Sequence, residues 1–149
     1  MFSAPHTYSE WSSLLSDFKE KKDDSEVIVA MKEGTIEWQM GVAERFSRKL
    51  IDAFNTRMNN ATDQFQTDMN RANGQEANIV NALIKLRKEM ALLADAIDLP
   101  ALPEKDRQKY KSLVIEQAHS IQKSLEDSAK RDKSGKLSSI VRNHKVDII

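Results

Sequence analysis

Apolar residues recur along most of this chain at intervals of three and four, the period of one face of an α-helix. The first run is Tyr8, Trp11, Leu15 and Phe18, spaced 3, 4 and 3. Thr7 stands just before it and Glu10 three residues further on, so hydroxyl and carboxylate can each take a free amide of the first turn in a capping box. Six consecutive charged residues, Lys19 to Asp24, break the stripe, and the helix is expected to close near Lys22. The apolar segment Val27 to Met31 then predicts a second short helix, with Gly34 as a left-handed stop. The β-branched Val27, Ile28 and Val29 would also suit a buried strand, but no second strand-like run stands nearby to pair with it.

The longest helical pattern is expected to open at Thr35 and to run to Asn73, where Asn73-Gly74 marks a stop. Its stripe is Val42, Phe46, Leu50, Phe54, Met58, Ala61, Phe65, Met69 and Ala72. From Leu50 the gaps are 4, 4, 3, 4, 4 and 3, two 11-residue repeats, so the helix is expected to be nearly straight or to wind slightly right-handed. Residues 75–98 follow a different rule. Ile79, Leu83, Leu86, Met90, Leu93 and Ile97 form a heptad seam, widened by Val80, Ile84, Leu92 and Ala94, as in the central member of a bundle. Leu99-Pro100-Ala101-Leu102-Pro103 interrupts the helical pattern, and Pro103 suits the first position of a helix running to about Lys130. Its inward face reads Tyr110, Val114, Gln117, Ile121, Leu125 and Ser128. Beyond it lies a basic stretch broken by Gly135, expected to form a flexible tail.

The predicted architecture is therefore all-α: an antiparallel bundle of three long helices, 35–73, 75–98 and 103–130, with one or two short N-terminal helices packed on it. The domain would span residues 1–130 and the basic tail 131–149. Composition agrees. Hydrophobic residues are 40% and charged residues 31% of the 149 positions, with four Gly and three Pro, too apolar for an intrinsically disordered chain.

Charge and residue inventory then limit the function. The 23 basic and 23 acidic side chains cancel, so no whole-molecule field favours nucleic acid or an anionic membrane. Without cysteine there are no disulfides, thiolate nucleophiles or Cys-ligated zinc. The longest apolar runs, Val27 to Met31 and Met90 to Ala94, are far short of a bilayer span, and the start lacks the basic and apolar regions of a secretory signal; a cytoplasmic setting is the expectation.

Candidate chemistry is sparse. Glu116 and His119 form one Glu-x-x-His pair, half of the motif that holds a metal pair in helical bundles, and the other half is missing, so no metal or other cofactor is expected. No Gly-x-Ser-x-Gly elbow or glycine-rich phosphate loop is present, and enzymatic activity is not expected. Lys130, Arg131, Lys133, Lys136, Arg142 and Lys145, with Asp132 the one acid among them, are the candidate nucleic-acid contacts, although no aromatic residue interleaves them. Smaller clusters, Arg45/Arg48/Lys49 and Lys85/Arg87/Lys88, read as outward helix faces. Residues 55–73 carry many neutral amides: Asn55, Asn59, Asn60, Gln64, Gln66, Asn70 and Asn73. A plain exposed face is their commoner meaning; a hydrogen-bonded helical interface is the other.

Trp38-Gln39-Met40-Gly41 departs from the Trp-x-Gly turn of the small helical-hairpin substrates of type VII secretion. It has one residue too many, lies near a helix start, and no Tyr is followed four residues later by an acid, so no family is assigned. Apolar helical faces are the chain's one abundant resource, which predicts a non-enzymatic protein-interaction or assembly module. A nucleic-acid-associated protein using the basic segment is the alternative, and a metal-binding helical enzyme the second alternative. Self-association into a homodimer is expected from the lengths of the three long helices, roughly 58, 36 and 42 Å. The excess length of the first leaves Ile36, Val42 and Phe46 as candidate interface residues.

Overall fold

The computed structural model describes residues 2–36 and 42–148, and within them the chain is all-helical. Six helices are seen: α1 (Tyr8–Lys19), α2 (Asp24–Glu33), α3 (Val42–Ala72), α4 (Glu76–Ala96), α5 (Glu104–Ala129) and α6 (Lys136–Asn143), with no strand among the described residues. No described helix is long and apolar enough to cross a membrane. The residues group into two compact units, Met1–Asn59 with Asp95–Lys111 and Asn60–Ala94 with Ser112–Ile149, so α3, α4 and α5 each contribute a segment to both.

In the first unit, α1 opens as its sequence dictates. The Thr7 hydroxyl accepts from Glu10 N–H and the Glu10 carboxylate accepts from Thr7 N–H, the expected capping box. Trp11, Leu14, Leu15 and Phe18 are buried. The helix closes at Lys19, one turn earlier than the charge run suggests, and Lys21 and Asp23 take positive φ to turn the chain into α2. Val27–Val29 belongs to that helix and not to a strand: Val27, Ala30 and Met31 face inward while Val29 stays 55% exposed.

Gly34 does end α2, but for a reason the sequence did not disclose. Its φ is −71°, an extended conformation open to any residue. What excludes a side chain there is space, because a Cβ on Gly34 would stand 2.6 Å from Trp11 Cζ2 and 2.9 Å from Pro5 Cγ. Thr35, expected to open the long helix, instead lies outside any helix. Its N–H donates to Pro5 O and its carbonyl accepts from Trp11 Nε1 at 2.7 Å, so the residue is used to fasten the N-terminal segment. The interior of this unit is aromatic: Trp11 meets Phe46 edge-to-face at 5.1 Å, and Phe18 lies 4.8 Å from Phe54. Tyr110 OH donates to Ser47 Oγ at 2.7 Å.

The second unit is mostly aliphatic. Asn73 and Gly74, both at positive φ, form the expected stop after α3. In α4, Ile79, Leu83, Leu86, Met90 and Leu93 of the heptad seam are all buried, each worth about 1.5–3 kcal/mol of apolar transfer. Ile97, the seam's last member, is buried in the first unit.

On α5 the inward face differs from the predicted one. Tyr110, Val114, Ala118, Gln122 and Ala129 are buried, whereas Gln117 and Ser128 are exposed and Ile121 and Leu125 half-buried. The buried residues from 110 to 122 are spaced by four throughout, a register that brings the small Ala118 inward and, with it, the amide of Gln122. The segment expected as a flexible tail contains α6 and places Ile140, Val141 and Val146 in the interior.

Candidate functional site

Among the described residues, two polar side chains are buried, and neither was among the sequence-derived candidates. Arg57 of α3 is fully buried. Its Nη1 and Nη2 donate to the two carboxylate oxygens of Asp24 at 2.8 and 2.9 Å, and Nη1 also donates to Phe18 O at 3.3 Å. The guanidinium lies 4.5 Å from the centre of the Phe18 ring. This fork-to-fork pair ties the start of α2 and the end of α1 to α3. A signal did exist: Ala53, Phe54 and Ala61, at helical spacing around Arg57, are all apolar, and a charge inside such an arc needs a partner.

Gln122 is the other. Its Nε2 donates to Glu126 Oε1 at 3.0 Å and to Val141 O at 3.5 Å, and its Oε1 accepts from Val146 N–H at 3.0 Å. One amide thus uses both its donor and its acceptor to hold the C-terminal segment. Nothing in the helical period distinguishes Gln122 from Gln117; the choice between them is made by packing.

The residues singled out for chemistry sit apart from one another. Glu116 and His119 are one turn apart on the exposed side of α5, and His119 Nδ1 is 2.7 Å from Asp147 Oδ2. Among the described residues no group of three or more His, Asp or Glu converges as a metal site. Of the basic set, Lys130 lies 3.7 Å from Asp127 and Lys136 lies 3.9 Å from Glu76. Arg131, Lys133 and Arg142 are exposed, and Lys145 is half-buried. These six occupy the end of α5, the turn after it, α6 and its exit.

That turn has a geometry of its own. Gly135, at φ 73°, cannot cap α6 with a side chain, and Asp132 does so instead: its carboxylate accepts from Leu137 N–H, Ser134 N–H and Ser134 Oγ–H. These donors, Leu137 N–H first, hold the Asp132 carboxyl below its ordinary range.

Of the candidate interface residues, Phe46 is 1% exposed and packs on Trp11 within its own unit, while Ile36 and Val42 are half-buried. Helix α3 begins at Val42 among the described residues and has 31 residues, about 46 Å. Trp38 to Gly41, including the Trp-Gln-Met-Gly sequence, lie outside the described residues. The amides Asn55, Asn59, Asn60, Gln64, Gln66, Asn70 and Asn73 are all exposed.

Two depressions on the described surface have polar linings. One, of about 510 Å³, runs along α1 past Tyr8, Ser9, Ser12, Ser16 and Lys49; the other, of about 380 Å³, lies beside the α3–α4 turn near Asp68, Arg71, Asn78 and Lys85. Both open widely to solvent, and their charged groups are of mixed sign. Against protein-family models, curated proteins and solved structures, the chain finds no significant match.

Proposed function

We propose that this chain is a non-enzymatic protein-interaction or assembly module that works through its helical faces and associates with itself as a dimer, its three long helices arranged as an antiparallel bundle. The observation carrying the proposal is where its reactive side chains are spent. His119 is engaged with Asp147, Tyr110 with Ser47, Asp132 with the start of α6, and Arg57 with Asp24. Each of these contacts fastens one segment of the fold to another. Much of the surface that remains exposed lies on helices, and helix surface can recognise other helices.

Light scattering of the whole chain at about 50 µM tests this, a range in which weak but specific dimers populate. Twice the 17.0 kDa chain mass is the expected result. A single-chain mass would overturn self-association.

A further inference from the structure

The turn between α3 and α4 is the one place in this sequence where glycine follows asparagine. Asn73 (φ 52°) and Gly74 (φ 78°) are both left-handed, both exposed, and both belong to the second unit. Asn adopts that conformation at small cost and Gly at none, which is why the pair ends a helix well. The same two residues also bring reactive atoms together. Between the side-chain carbonyl carbon of an asparagine, Cγ, and the backbone nitrogen of the next residue stand Cβ, Cα and C, so a bond between them closes a five-membered ring. Two things ordinarily prevent this: a side chain that crowds the following nitrogen, and a hydrogen bond that holds its N–H. The other asparagines meet both. Asn55, Asn59, Asn60, Asn70, Asn78, Asn81 and Asn143 lie in helices, each is followed by a residue with a Cβ, and the next N–H belongs to the helical ladder, as where Ile79 N–H donates to Gln75 O and His144 N–H to Ile140 O. Gly74 meets neither. No atom beyond its chain neighbours lies within 4 Å of where its Cβ would stand, and among the described residues neither its N–H nor the Asn73 carboxamide makes a hydrogen bond.

We propose that Asn73-Gly74 is a self-modification site whose only co-reactant is water. The Gly74 nitrogen attacks Asn73 Cγ and gives up its proton to solvent; the bond from Cγ to the amide nitrogen breaks and ammonia leaves, so the product is a succinimide. Water then adds to either ring carbonyl and one of the two ring C–N bonds opens. Opening at Cγ leaves an ordinary aspartyl residue, whereas opening at the backbone carbonyl leaves an isoaspartyl residue, in which the main chain runs through the side chain. Nothing is oxidised or reduced. The products alter the turn in two ways. A carboxylate appears at the C-terminal end of α3, where the helix dipole is negative, and adds one acid to a chain whose formal net charge is zero. The isoaspartyl form also inserts a methylene carbon into the backbone between Ala72 and Gln75, the stretch closed by a hydrogen bond of 2.9 Å from Gln75 N–H to Ala72 O. An extra atom in that ring disrupts the bond, so the stop after α3 loosens. None of this depends on the assembly reading above.

Peptide mapping by mass spectrometry tests this on the whole folded chain, aged at about pH 8.5 and 37 °C. The peptide spanning Asn73-Gly74 is expected to gain about 1 Da, in both aspartyl and isoaspartyl forms, about tenfold or more faster than any other asparagine peptide. The same chain unfolded in guanidinium is the reference. Because the fold leaves the site open, the folded rate is expected to lie within about tenfold of the unfolded one. Gly74→Ala, which crowds the nitrogen, is expected to slow the reaction about tenfold or more, and reading it in the unfolded chain makes that arm independent of whether the variant folds. Hydrogen exchange on the isoaspartyl form should show protection at Gln75 N–H reduced about tenfold or more. A folded rate further below the unfolded one would overturn the site, because the turn would then hold the nitrogen away from Cγ. An aspartyl product without the isoaspartyl form, or a rate indifferent to Gly74→Ala, would overturn the ring-closing route. Unchanged protection at Gln75 would overturn the loosening of the turn.

Discussion

The two units solve the same problem with different chemistry: each must fasten a peripheral segment, and each does so through one buried polar side chain. In the first unit that side chain is Arg57, a cation among aromatic rings, with Asp24 as its counter-charge. In the second it is Gln122, a neutral amide among aliphatic side chains, bonded to the C-terminal segment. The aromatic residues divide in the same way. Phe65 is the one aromatic residue of the second unit, and the described aromatics otherwise belong to the first. A cation can be buried where a ring face and a carboxylate both receive it, and Phe18 and Asp24 supply those at 4.5 Å and 2.8 Å. An aliphatic interior has no such face, and a neutral amide costs far less to desolvate there.

The comparison is broken most forcefully at its charged end. Arg57→Ala leaves the Asp24 carboxylate without its fork and opens a cavity beside Phe18, and is expected to cost about 3 kcal/mol, near the low end for a buried pair because Asp24 is 26% exposed. Urea unfolding measures this, and a midpoint equal to the parent's would show that the pair contributes no net stability. Gln122→Ala strands the buried Val146 N–H, with an expected cost of about 2 kcal/mol. Hydrogen exchange on this variant should show protection lost first at residues 140–146; loss spread evenly over the chain would contradict a role confined to the C-terminal segment.

Acid gives the smallest effect and reaches one cap in each unit. The Glu10 carboxyl is held below its ordinary range by His6 N–H first and by Thr7, and Asp132 by Leu137 N–H first and by Ser134. A depressed folded-state pKa means that the stabilisation is fully present above the unfolded carboxylate range of about 4, and is lost as pH falls through the folded values. Titration followed at the His6 and Leu137 amide resonances, each donating to one of these carboxylates, should therefore give midpoints below that range. Midpoints at the ordinary carboxylate value would mean that neither cap is formed in solution.

Much of this architecture was legible from local pattern. The Thr7–Glu10 capping box, the Asn73-Gly74 stop and the α4 seam all follow from interactions within a few residues of each other, or from a period repeated often enough to leave one face for the interior. Sequence alone therefore determined the helical class, the position of most helices and the side of α4 that is buried. Tertiary structure decided what depends on neighbours distant in the chain. Gly34 is required by the indole of Trp11 and the ring of Pro5, Thr35 is drawn from the long helix by Pro5 and Trp11, and the inward face of α5 is set by Gln122 meeting Val141 and Val146. Arg57 shows the same division in one residue. Its apolar neighbours at helical spacing mark the position from sequence, but a buried guanidinium is tolerable only because the fold delivers Asp24, 33 residues away, to its two nitrogens.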